Sequence, residues 1–177
     1  MQAPETFETA RLRLRRPQLQ DAKVIFDRYA QDPAVTRYLM WLPHPSIETT
    51  EKFITHCTEA WANGTAFPYV ITRKSDGRLL GMIELRPDQH GASVGYVLAK
   101  DHWRQGVMTE AARTVVSYAL AQPAIFRVQA FCDVENIASA RTLEKIGMRR
   151  EGTLRRYIIH PAVSDEPRDG YLYAVTK

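Results

Sequence analysis

The sequence predicts an α/β (α+β) fold, with a single mixed sheet of about seven strands and helices on both faces. Three observations predict it. Residues 67–73, 79–86 and 93–100 are short apolar-rich runs separated by Ser75-Asp76-Gly77 and by the turn-forming segment 87–91, which makes an antiparallel meander. A helical segment and the strand 126–132 then follow the third run, which makes a parallel crossover, so the sheet is mixed. Finally, 177 residues with 45% hydrophobic and 25% charged content suit one soluble domain, and no repeat or linker divides residues 1–177.

The elements are justified in order. Residues 11–16 alternate basic and apolar side chains, which is a strand with one wet face and solvated arginines. Ala22, Ile25, Phe26 and Tyr29 recur at helical spacing within 19–31, and Asp32-Pro33 stops that helix. Residues 38–45, YLMWLPHP, form an aromatic loop. Ser46 then opens a second helix that runs to Asn63, with Gly64 as its C-cap. After the meander, Val107/Met108, Ala111/Ala112, Val115/Val116 and Ala119/Leu120 form a wide apolar stripe on a third helix. The strand 126–132, a helix over 136–146 closed by Gly147, and strands near 153–159 and 171–176 complete the chain.

Composition narrows the function. A formal net charge of +4 with scattered arginines favours an anionic ligand or an acidic partner and does not imply nucleic acid. Cys57 and Cys132 are far apart and form no CxxC, which argues against a disulfide framework and suits a reducing compartment. The N-terminus has no signal-peptide pattern, and no apolar run is long enough to span a membrane. The expectation is a cytoplasmic protein without nucleic-acid or membrane partners. The five histidines form no ligand spacing, so no metal is expected, and most are read as surface residues.

The stretch at 101–112, DHWRQGVMTEAA, joins a strand to the third helix. The first amides of that helix have no intrahelical acceptor, and with the helix dipole and Arg104 they make an anion site. Gly106 lets the backbone approach the ligand closely. An ordinary strand-to-helix turn is the alternative.

The second segment, NIASARTLEKIGM at 136–148, favours the anion site by resemblance. Together the two segments resemble the GNAT superfamily of acyl-CoA N-acyltransferases, specifically its RimJ/RimL-like branch. Trp103-Arg104-Gln105-Gly106-Val107-Met108 falls on that family's coenzyme loop, Q/R-x-x-G-x-G/A. The central glycine matches, whereas Trp103 and Met108 depart from the general form in the way the branch commonly does. The likeness continues through Asn136, Ser139, Leu143-Glu144-Lys145, Gly147 and Glu151-Gly152, and includes TARLRLRRP near the N-terminus.

The resemblance implies acetyl-CoA as acyl donor, with its pyrophosphate on the backbone of Arg104, Gln105, Gly106, Val107, Met108 and Thr109. It implies a pantetheine arm paired with Tyr96, Val97 and Leu98, on an edge exposed by a splay between the fourth and fifth strands. The tyrosine that many GNAT enzymes use as the acid is replaced here by Leu143, and the branch places a serine at Ser139 instead. Asn136 would hold the pantetheine, or serve as a helix N-cap with Ser139 in the first turn. Glu84 is the candidate base, unless it lies on the wet face of its strand. Tyr38, Trp41 and Tyr157 are candidate walls of the acceptor pocket, or ordinary core.

The expected reaction is direct transfer of an acetyl group to a primary amine, as a monomer or homodimer. The acceptor leans to the N-terminal α-amine of a protein or peptide. A small-molecule amine acetyltransferase and a non-catalytic acyl-CoA-binding module are the rival readings.

Overall fold

The structure is a computed structural model and describes residues 2–177. Strands β1 (Thr6–Glu8) and β2 (Leu12–Arg15) come first, then helix α1 (Asp21–Ile25). A π-helical turn, Phe26–Ala30, extends α1, and the short helix α2 (Pro33–Thr36) and long helix α3 (Ile47–Asn63) follow. The meander is β3 (Phe67–Arg73), β4 (Leu79–Pro87) and β5 (Gly91–Leu98). Then come α4 (Val107–Ala121), β6 (Arg127–Asp133), α5 (Ile137–Lys145), β7 (Arg149–Ile158) and β8 (Arg168–Thr176). No helix among these residues is long and apolar enough to cross a membrane.

One eight-stranded sheet results, in the order β1-β2-β3-β4-β5-β6-β8-β7. The extra strand is β1, three residues paired with β2, too short for any alternation to be read. Asp32-Pro33 proves to be a start as well as a stop. Asp32 accepts the amide of Ala34 at 2.8 Å and Pro33 takes the first helical position, so the pair caps α2.

Two cores flank the sheet. The paired apolar positions of α4 (Val107, Met108, Ala111, Ala112, Val115, Val116 and Ala119) are buried on one face, beside Ile83, Leu85, Val128 and Leu143. Ile25, Tyr29, Ile54, Cys57, Val70 and Met82 pack on the other, under α1 and α3. At roughly 1.5–3 kcal/mol for each large side chain fully buried, these two layers are the main source of stability.

β5 and β6 are the one parallel pair among the described residues, and they are joined only at Gly91–Arg127, Ala92–Val128 and Ser93–Gln129. β5 continues to Leu98 and β6 to Asp133 without further pairing, so the sheet splays as expected.

Two expectations about polar residues need correcting. Arg15 is no solvated strand arginine: it grips the buried Asp21 carboxylate with two hydrogen bonds of 2.8 and 2.7 Å. Of the five histidines, only His56 and His90 are exposed, whereas His102 and His160 are buried. Each buried ring has a polar neighbour, Arg28 at 3.1 Å from His102 and the Leu39 carbonyl at 3.3 Å from His160, which permits burial.

Candidate active site

A cavity of about 1020 Å³ runs through the splay, from the N-terminus of α4 to the aromatic loop. Its loop end is built by an unusual backbone. Arg104 (φ 61°) and Gly106 (φ 75°) both take the left-handed conformation, which turns the chain sharply into α4. The first intrahelical bond of α4 comes from Glu110 to Gly106, at 3.0 Å. The amides of Val107, Met108 and Thr109 therefore have no helical acceptor, and all three residues line the cavity. Arg104, Arg141 and Lys145 line it as well, so cations accompany the helix terminus.

The loop is held from behind by residues that sequence reasoning missed. Glu110 accepts from Thr9 Oγ1 (2.6 Å), the Arg11 amide (3.1 Å) and Arg11 Nε (2.7 Å). Arg11 also donates to the Gln105 carbonyl at 3.3 Å, so this arginine at the entry to β2 tethers the loop as well as facing solvent. Burial works to raise the Glu110 carboxyl, but the hydrogen bonds from Thr9 and Arg11 outweigh it and hold the group below its ordinary range. Gln105 itself turns away from the cavity, its side chain donating to the Asp101 carbonyl at 2.8 Å.

Along β5 the backbone alternates. The Ala99 amide donates to Leu80 of β4 at 2.8 Å, and the Val97 carbonyl lies against Gly81 of β4. The polar backbone groups of Tyr96 and Leu98 therefore face the splay, while those of Val97 are spent on β4. Of the expected edge, Val97 contributes only its side chain. The Leu98 carbonyl accepts from Trp103 Nε1 at 2.8 Å, so Trp103 braces the strand end against the loop.

On the far wall, Asn136 caps α5, its Oδ1 accepting the Ser139 amide at 3.2 Å. This places Ser139 in the first turn with its hydroxyl toward β5, where it lies 2.8 Å from the Tyr96 hydroxyl. Cys132 lines the cavity nearby, and burial pushes its thiol up to about 11, so it stays protonated near neutral pH.

Glu84 also lines the cavity and forms an ion pair with Arg86, two residues along the same strand. Tyr38 and Trp41 line it too, Tyr38 reaching Glu135 at 3.5 Å and Trp41 packing on His44 at 4.7 Å. Tyr157 does not join them. It is half exposed and stands edge-on to Phe131, and it is Phe131 that meets the cavity.

His160 also lines the cavity, at the edge of the Tyr38 ring. Behind it is the fully buried Asp133, which Arg168 Nε holds at 2.7 Å. These residues lie far apart in sequence and come together only through the sheet order.

Residues 11–149 match the family described as the acetyltransferase (GNAT) domain. The uncharacterised N-acetyltransferase YoaA of Bacillus subtilis is 32% identical over 173 residues, 96% of each chain. A GNAT-family acetyltransferase structure from Bacillus anthracis superposes with a TM-score of 0.85 at 26% identity, covering 97% of this chain and 98% of that one. RimL, a ribosomal L7/L12 α-N-protein acetyltransferase solved with coenzyme A, superposes with a TM-score of 0.84 at 20% identity, over 97% and 98% of the two chains. The chain belongs to the GNAT family of acetyltransferases, and its fold is shared with RimL.

Proposed function

We propose that the protein transfers the acetyl group of acetyl-CoA directly to a primary amine, and that the amine is the N-terminal α-amine of a protein or peptide. One observation carries the donor assignment: a single cavity joins the acceptor-free amides at the α4 terminus, the unpaired edge of β5 and the Ser139 hydroxyl. The pyrophosphate belongs on the loop from Arg104 to Thr109. The pantetheine belongs along the splay-facing backbone of Tyr96 and Leu98, with Asn136 opposite. The Leu98 amide is the natural donor to the thioester carbonyl, because it faces the opening and Val97 does not.

The acceptor follows from proton chemistry. A lysine side chain, with pKa about 10.4, costs roughly 4 kcal/mol to neutralise near pH 7.4, whereas an α-amine near 7.7–8.0 costs under about 1 kcal/mol. Glu84 is paired with Arg86. An amine that is already partly neutral makes little demand on a base. The likeness of fold to an α-N-protein acetyltransferase supports the same choice. Ser139 serves the departing sulfur.

The test is a pH profile over a panel of peptide, polyamine and amino-acid acceptors, followed by release of free thiol. For a peptide acceptor, kcat/KM should rise with a pKa about 8, that of the free α-amine. Glu84→Gln should leave that limb in place, and polyamines should turn over poorly. A limb near pH 6–7 that disappears in Glu84→Gln, with good polyamine turnover, would assign Glu84 as base and the protein to small amines. Absence of thiol release with every amine would indicate a binding module.

A further inference from the structure

The hydroxyl of Tyr96 crosses the splay from β5 to α5. It lies 2.8 Å from Ser139 Oγ and 3.3 Å from the Ser139 carbonyl oxygen. This contact is independent of the backbone edge for which β5 matters in coenzyme binding. It is also the place where the two halves of the opened sheet touch through polar side chains at the Ser139 position.

We propose that Tyr96 is a positioning residue that donates its hydroxyl hydrogen to Ser139 Oγ, leaving the serine's own hydrogen for the coenzyme sulfur. The inference rests on the reading of Ser139 given above. A serine oxygen has one hydrogen and two lone pairs. With Tyr96 donating to one lone pair, the O–H and the second lone pair are both left for the reaction. If Tyr96 instead gave its hydrogen to the Ser139 carbonyl, the serine hydrogen would be drawn toward the tyrosine oxygen and lost to the sulfur.

The proton balance follows. The neutral amine attacks the thioester carbonyl carbon, the N–C bond forms, and the nitrogen carries an extra proton as an ammonium. As the C–S bond breaks, the ammonium proton passes to the free lone pair of Ser139 Oγ while the serine's own proton passes to sulfur. Amide and neutral thiol leave, and Ser139 ends as it began. No separate base is consumed, which suits a site whose cavity-lining Glu84 is paired with Arg86.

Tyr96 does not supply the proton itself. Burial drives its hydroxyl well above the ordinary tyrosine range, with the Ser139 contact only partly opposing that. A tyrosinate would be stranded in the splay, so Tyr96 keeps its hydrogen throughout.

The test compares Tyr96→Phe, Ser139→Ala and the double variant, with acetyl-CoA affinity measured by calorimetry beside turnover. Tyr96→Phe should lower kcat about 10-fold or more with acetyl-CoA affinity within a few-fold, and the double variant should be no slower than Ser139→Ala. Retained affinity shows that the site is intact. Multiplying effects in the double variant would mean that Tyr96 acts on its own and overturn the proposal. Weakened acetyl-CoA binding at unchanged kcat would reassign Tyr96 to the coenzyme. Near-normal turnover of Tyr96→Phe beside a slow Ser139→Ala would reject the role of Tyr96 and leave Ser139 standing. Normal turnover of both would remove the serine from the reaction as well.

Discussion

Gly106 separates backbone strain from charge at a single position. Its φ of 75° is one that L residues adopt at a cost of roughly 1–2 kcal/mol, yet a Cβ there has room, its nearest neighbour being an Arg11 nitrogen at 3.6 Å. Gly106→Asn and Gly106→Asp share that strain and nearly the same shape, and differ in one negative charge beside the acceptor-free amides. Acetyl-CoA should bind the asparagine variant within about tenfold of the parent, whereas the aspartate variant should lose at least a further factor of about ten by calorimetry. Equal affinities would take the pyrophosphate away from this helix terminus. Gly106 was legible because a strand, a glycine and an apolar helix adjoin in the sequence. Its support was not: Arg11 and Glu110 lie 99 positions apart, and an arginine on an alternating strand reads as solvated. Tyr96 was singled out for its backbone, and only the fold shows that its hydroxyl reaches Ser139.

At the scale of elements, the meander was readable to within two residues because its apolar-rich runs lie between defined turns. The limits of β7 and β8 were less so, since β7 starts at Arg149 in a run of polar residues whose partners are backbone groups of β8. The pairing of β4 with β5 contains a constraint that no alternation reveals. Gly81 lies opposite Leu98, and a Cβ on it would come within 2.3 Å of the Val97 carbonyl oxygen and 2.9 Å of Leu98 Cα. Both are backbone atoms, so no side chain can rotate away. Gly81→Ala should push β4 and β5 apart at the end of β5 that borders the splay. Overpacking of this kind costs about 1–3 kcal/mol, or a fall in Tm of roughly 2–12 °C for a chain of this size. The variant should also weaken acetyl-CoA binding more than an equally destabilising change in the α3 core, such as Ile54→Val. An unchanged Tm would show that the two strands yield without strain.

For the whole molecule, the sheet is two blocks, β1–β5 and β6-β8-β7, joined by a short parallel pairing and held apart beyond it. The end of the second block is fastened by charge, with a contact across to the aromatic loop. Asp133 at the end of β6 is fully buried, accepts Arg168 Nε at 2.7 Å and the Glu135 amide at 2.8 Å, and faces His160, whose ring also meets the Leu39 carbonyl of the aromatic loop. Burial alone would raise the Asp133 carboxyl, but Arg168 and the Glu135 amide more than offset it, and the group is held below its ordinary range. A carboxylate depressed in the folded state stabilises fully above its unfolded pKa, about 3.9, and that contribution is lost as pH falls through the folded value. Tm should therefore hold between about pH 6 and 8 and decline below about pH 4. Asp133→Asn should lower Tm at pH 7, because removing one partner of a buried pair costs about 3–5 kcal/mol. The same variant should show a shallower loss between pH 6 and pH 3, since one depressed carboxylate no longer titrates. Glu151→Gln, which removes an exposed partner of Arg127, is the control and should change Tm at pH 7 little. If Asp133→Asn leaves the acid limb as steep as in the parent, the acid sensitivity arises elsewhere than in the Asp133–Arg168 pair, which ties β6 to β8 within one block.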